Sequence, residues 1–129
     1  METVSFKMDA YQGFAETEGV IQAGKEVIRI EYQTKDALVG YFKSGLKTLD
    51  IPFDDIQDLL FDSNLFTAKL RIQLKTLQAA QDFPTTKGGE IHISISRKNR
   101  KQAKSFASSV GLAISQYVMM KDLKEDLEF

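Results

Sequence analysis

The hydrophobic period of the chain changes once, sharply, between residues 89 and 120 (GEIHISISRKNRKQAKSFASSVGLAISQYVMM). From 90 to 96 apolar and polar residues alternate strictly, with Ile91, Ile93 and Ile95 on one side. That is the period of a half-buried strand. From about Asn99 the period is helical. Ala103, Phe106, Ala107, Val110, Ile114, Tyr117 and Val118 share one face, and Lys101, Gln102, Lys104, Ser105, Ser108, Ser109, Ser115 and Gln116 fill the other. Asn99 is the expected N-cap and Ser96 the alternative. Gly111 inside this helix costs about 1 kcal/mol relative to Ala, and a close approach of helix to sheet would account for it. A strand that feeds a helix directly, at the end of a strand-rich chain, predicts a β-structure closed by a terminal helix.

Upstream the chain reads as short strands separated by turns. Residues 1–12 are expected to form an N-terminal arm, with Val4, Phe6, Met8 and Tyr11 on a short strand or helix against the body. Strands are expected at 13–22, 26–33, 37–43 and 46–52, with a hairpin turn at Ala23-Gly24-Lys25, where Gly would supply a positive φ. Pro52 lacks an N–H and should end its strand. An irregular or helical turn is expected after it, then a fifth strand near 58–62 and a turn at Asp62-Ser63-Asn64. Residues 65–75 alternate most regularly, which puts Phe66, Ala68, Leu70, Ile72 and Leu74 on one inner face. Residues 76–89 form a long connection, of a length usually functional or flexible. The seventh strand is 90–96. The charged tail, 121–129, continues the helix or frays, and Leu123 and Leu127, four apart, are placed to dock on a neighbour.

The sum is an α+β, mostly β, single domain over 13–120. Two phrases in it resemble known sequences: LDIPFDDIQDL at 49–59, and ISISRKNRKQAKSFAS at 93–108. With the strand count and final helix, they resemble the pleckstrin-homology-like (PH-like) superfold, in particular its bacterial PH-like and GRAM-like domains. The resemblance covers roughly 13–117. It implies a seven-stranded antiparallel orthogonal sandwich or barrel capped by the C-terminal amphipathic helix. Such domains bind phosphoinositides or peptides, oligomerise or act as scaffolds, so fold analogy does not choose among these functions. The lipid-binding members carry basic residues across the first hairpin. Here 14–22 contains no Lys or Arg, and the second strand offers only Lys25 and Arg29. The family's phosphoinositide motif is therefore not matched.

Composition narrows function further. With 129 residues, 43% hydrophobic, the chain can build one core without a disulfide or metal staple. Seventeen basic and eighteen acidic residues give a net charge of −1, which disfavours nucleic acid as the main partner. Cysteine is absent, so thiolate chemistry is excluded. The first ten residues lack an apolar run, unlike a signal peptide, and a cytoplasmic location is expected.

No cluster carries recognisable catalytic chemistry, so no catalytic residue, cofactor, metal or small-molecule substrate is assigned. His92, the one histidine, lies with Ser94 and Ser96 on the polar strand face, where an ordinary surface or interface role is expected. Asp54, Asp55, Asp58 and Asp62 read as a solvated acidic edge; their spacing is not that of a calcium loop. Lys47, Lys69, Arg71 and Lys75 are expected on one outer sheet face. Arg97, Lys98, Arg100 and Lys101 crowd the helix N-terminus, the end where the macrodipole disfavours cations. The ordinary reading is a salt-screened junction. The functional reading is an anion or acidic-partner site made with free helix N–H groups. Two functions follow: a non-enzymatic interaction or scaffold module that binds protein or peptide or self-associates, and a peripheral membrane or anionic-ligand module that uses the basic junction.

Overall fold

The computed structural model of the chain describes residues 2–36, 45–79 and 83–127. Eight strands lie among them: β1 (Thr3–Ala10), β2 (Ala15–Ala23), β3 (Val27–Asp36), β4 (Lys47–Pro52), β5 (Ile56–Ser63), β6 (Ala68–Leu74), β7 (Thr86–Lys87) and β8 (Glu90–Ile95). One helix, α1 (Arg100–Leu127), follows. The strands make two antiparallel four-stranded sheets, ordered β1-β2-β3-β4 and β5-β6-β8-β7. Among the described residues the sheets do not close into a barrel. Seven strands were expected. The expected strand at 37–43 lies outside the described residues; β1 realises the strand alternative for the N-terminal arm, and the two-residue β7 was not anticipated.

Residues 3–10 are a full strand because Val4, Phe6, Met8 and Ala10 alternate with Ser5, Lys7 and Asp9, and the four apolar side chains are buried. β1 pairs along its whole length with β2. The first two hairpin rows on this sheet are apolar: Val4, Ile21 and Ile30, then Phe6, Gly19 and Tyr32. Phe83 from the 76–89 connection is buried on the second row, edge-on to Tyr32 (ring centroids 4.9 Å apart) and to Phe6 (6.4 Å). The connection is thus pinned to the first sheet by one aromatic side chain. Next along, Thr17 and Thr34 meet inside the sheet with their hydroxyls 3.1 Å apart.

β6 presents Ala68, Leu70, Ile72 and Leu74 to the core, as the alternation predicts. Phe66 departs from the expectation and is exposed. The reason is local: Asn64 closes a tight turn over 64–67, so Phe66 belongs to the turn and not to the strand. Gly24 also departs, having no positive φ; positive values fall at Tyr11 and Gly13 (53° and 90°) after β1, and at Gly88 and Gly89 (58° and 81°) in the two-residue β7–β8 turn. Two consecutive positive φ values define the turn type that suits the twist of a hairpin and favours Gly-Gly.

Pro52 ends β4 as expected, and residues 53–55 form a 3-10 turn that passes the chain to the second sheet. α1 lies along β5 and crosses to β1 and β6. It buries Ala103, Phe106, Val110 and Ile114 between the sheets' inner faces. Phe53 of the 3-10 turn stacks edge-on with Tyr117 (5.7 Å). Asp54 beside it accepts hydrogen bonds from the Tyr117 hydroxyl (3.1 Å) and the Lys121 ammonium (2.6 Å). Gly111 does not mark a close approach: a Cβ built there meets nothing within 4 Å. Among the described residues no helix is long and apolar enough to cross a membrane.

Candidate functional site: the basic cleft at the start of the helix

β8 ends at Ile95, and a 3-10 turn (Arg97–Asn99) leads into α1. Neither expected cap residue caps through its side chain. Ser96 makes no such hydrogen bond. Asn99 turns the other way, its amide donating to the Ser5 carbonyl (3.1 Å) and the Ser96 hydroxyl (3.2 Å). The amide therefore ties the helix start to the middle of β1. No acidic residue stands in the first turn of α1 to answer the macrodipole.

Around this junction the chain forms a cleft of about 460 Å³, lined by Phe61, Ser63, Arg97, Lys98, Arg100, Lys101 and Lys104. All four residues expected from the sequence, Arg97, Lys98, Arg100 and Lys101, lie on it together. Lys104 is the fifth cation. Its signal was in the sequence, since it follows Arg100 by four and Lys101 by three and so neighbours both on the helix surface. Phe61 and Ser63 come from the end of β5, which only the packing of α1 along β5 brings here.

The charges in the cleft are unanswered. Four cations elsewhere are paired, Lys7 with Glu16, Arg29 with Asp50, Arg71 with Asp62 and Glu90, and Lys121 with Asp54, while Lys25, Lys47, Lys69, Lys75, Lys87 and Lys124 are scattered and in no ion pair among the described residues. Among the described residues none of the five cleft cations meets a carboxylate within 4 Å. The Arg100 Nε is buried and has no hydrogen-bond partner. Five cations and a helix N-terminus around one concavity can hold an oxyanion by charge-assisted hydrogen bonds.

Directly beyond Ser63 is the tip of the β5–β6 hairpin. The Asn64 carbonyl oxygen of the side chain accepts from the Phe66 N–H (2.9 Å), the Thr67 N–H (2.8 Å) and the Thr67 hydroxyl (3.1 Å). The Asn64 N–H in turn donates to the Thr67 carbonyl (2.8 Å). This closed turn holds Leu65 and Phe66 out in solvent, 75% and 78% exposed. Two rigidly presented apolar side chains stand beside the cationic cleft.

The other sequence candidates sit elsewhere. Lys69 and Arg71 share the outer face of β6, but Lys47 belongs to β4 in the first sheet and Lys75 lies past the end of β6. Arg71 pairs across the strands with His92. The His92 Nδ1 is 3.4 Å from the Lys69 ammonium and its Nε2 is 3.3 Å from Glu90. Burial, then the Lys69 ammonium, push the imidazole pKa below its usual range, against the pull of Glu90. A neutral ring that accepts at Nδ1 and donates at Nε2 satisfies both neighbours. His92 is thus held inside a polar strand network. Of the acidic edge, Asp54 holds α1, Asp58 accepts from the N–H of Leu59 (2.8 Å), and Asp62 pairs with Arg71.

Comparisons with protein-family models, with curated proteins and with solved structures return no match.

Proposed function

We propose that the chain is a non-enzymatic interaction module of pleckstrin-homology-like type that docks on an anionic lipid surface through the basic cleft and the β5–β6 tip. The fold reading is supported by the order of elements: a four-stranded meander, a second antiparallel sheet, and a closing amphipathic helix. It departs from the expected frame in the open sheets and in β7.

The observation that carries the functional reading is the adjacency of two features. Five unpaired cations line the cleft, and Leu65 and Phe66 project from the hairpin end that supplies Ser63. A solvated basic junction explains the cations but not the apolar pair. Stable attachment to a bilayer surface takes two signals, an inserted apolar group and a basic patch. Here burying Leu65 and Phe66 contributes about 1.5–3 kcal/mol each. Each cation near an anionic leaflet adds about 1 kcal/mol. The terms are of similar size, so losing either should weaken binding at least tenfold, about 1.4 kcal/mol.

The test is co-sedimentation with vesicles of phosphatidylcholine, with and without phosphatidylserine, at low and high salt. Binding is expected only to the anionic vesicles at low salt, and both Leu65→Ser with Phe66→Ser and Arg97→Gln with Arg100→Gln should reduce it tenfold. A chain that leaves anionic vesicles unbound at low salt, or binds neutral ones equally, is not this kind of module. The second reading, a protein-binding module, is favoured by a different surface, the outer face of α1.

A further inference from the structure

The helix α1 carries two apolar faces where its packing needs one. Its 28 residues extend about 42 Å. The last buried side chain is Ile114, and residues 119–127 are all exposed. The inward face continues through the partly buried Tyr117 and Val118 and then turns polar, with Lys121 on Asp54. The exposed flank turns apolar in the same stretch, where Met120, Leu123 and Leu127 line a groove with Glu26 and Tyr117. Leu112, Met119, Met120, Leu123 and Leu127 are each more than half exposed. At about 100° per residue they form one strip, turned roughly 140° from that of Ala103, Phe106, Val110 and Ile114. Five large apolar side chains in line on a solvated helix need a cover.

The outer face is complementary to itself when reversed. Its N-terminal half is small, with Ser105, Ser108 and Ser109 exposed. Its C-terminal half is large, with Met119, Met120, Leu123 and Leu127. The charges repeat the asymmetry. Lys101 and Lys104 lie along one edge of the strip near its start, Asp122 and Asp126 along the same edge near its end. Among the described residues none of these four is in an ion pair. In an antiparallel pair of identical helices each edge faces its own copy, so a two-fold axis near Ala113 sets Lys101 against Asp126 and Lys104 against Asp122. The same axis sets Met119 over Ser108 and Leu123 over Lys104 and Ser105. A parallel pair would match large with large at one end and would set the Lys and Asp edge against the opposite edge, pairing none of these charges.

We propose that α1 pairs antiparallel with α1 of a second copy of this chain about a two-fold axis near Ala113. The contact is isologous, as in most homodimers, and the two bodies lie on opposite sides of the helix pair. Ten side chains of this exposure, five from each copy, remove on the order of 1,000 Å² of apolar surface from water, the least that a specific interface needs. This pairing goes beyond the lipid reading and does not rest on it, although both use Lys101 and Lys104.

The test is sedimentation equilibrium of the full chain at low salt, between about 1 and 200 μM. The apparent mass should rise with concentration from 14.6 kDa towards twice that value. Leu123→Ser should raise the dissociation constant at least 100-fold while circular dichroism and melting stay unchanged, since Leu123 is more than half exposed and lies outside the buried core. Lys104→Glu alone and Asp122→Lys alone should each weaken the dimer about tenfold, and the two together should restore it. A chain that stays monomeric at 200 μM overturns the proposal. So does a dimer indifferent to Leu123→Ser, or a double charge exchange that restores nothing.

Discussion

Replacing Gly19 by Ala is expected to be the most costly one-carbon change in the first sheet. Gly19 lies between Phe6 and Tyr32 in their cross-strand row. A Cβ there would sit 2.9 Å from the Tyr32 Cα and 3.0 Å from the Glu31 carbonyl carbon, and closer still to the carbonyl oxygen. These are backbone atoms, so no side chain can swing aside. β2 and β3 must separate locally, and overpacking of this kind costs about 1–3 kcal/mol, occasionally more. Loosening one or two ladder hydrogen bonds adds about 1 kcal/mol each. A loss of about 3 kcal/mol or more is expected, out of a typical total of about 5–15 kcal/mol. With an unfolding entropy of about 2.1 cal/mol/K per residue, the melting temperature should fall by roughly 10 °C. Gly111→Ala is the control, because a Cβ meets nothing within 4 Å there. In mid-helix it should raise stability by up to about 1 kcal/mol. Urea titration and calorimetry of both variants give the two signs. The reasoning fails if Gly19→Ala melts within about 2 °C of the parent, or if Gly111→Ala is the more damaging change.

Other side chains give further expectations. Phe83→Ala removes the ring that packs on Phe6 and Tyr32, and should cost about 3–5 kcal/mol by urea titration. His92 has a folded pKa below 6.5, so the unfolded chain binds the proton first as pH falls. Its contribution to stability is full above 6.5 and is lost as pH drops through the unfolded value towards the folded one. The imidazole should therefore titrate below 6.5 by NMR, and His92→Gln should flatten the melting temperature over that window; a midpoint at or above 6.5 would refute this. For Asp54, the Lys121 hydrogen bond outweighs partial burial, and with that of Tyr117 it holds the carboxyl below 3.8. Its contribution is present above 3.8 and is lost as pH falls through the lower folded value. Asp54→Asn should raise amide exchange in residues 117–127 and leave β6 and β8 protected; unchanged exchange in the helix end would count against the anchor.

The strand-to-helix switch at 90–118 was legible because both periods are regular and both faces are buried in one core. The alternation in β6 was equally plain, but Asn64 decided where the strand begins, and turn chemistry outweighed the apparent partner position of Phe66. β1 was written in the same alternation, Val4, Phe6, Met8 and Ala10, yet a terminal strand is stable only if the next one accepts its whole length, which is a tertiary fact. The four cations of the junction could be read from their clustering. Phe61, Ser63 and the Leu65–Phe66 tip could not, because they reach the cleft only through the packing of α1 along β5. The second face of α1 was half visible in the spacing of Leu123 and Leu127. Its extent emerges only once the first face is known to end with the partly buried Tyr117 and Val118.

That the core is shared by two sheets and a late helix has a consequence during synthesis. The first sheet can be complete once Pro52 has left the ribosome, yet Phe6, Ile21, Ile30 and Ile51 on its inner face need the second sheet and α1 to cover them. At about 5–20 residues per second, the 62 residues from Pro52 to Ile114 take roughly 3–12 s to follow. During those seconds the nascent chain presents a sticky apolar sheet, and it should depend on chaperones until the helix arrives. A fragment ending at Ser96 should accordingly bind a hydrophobic dye and aggregate where the full chain does neither.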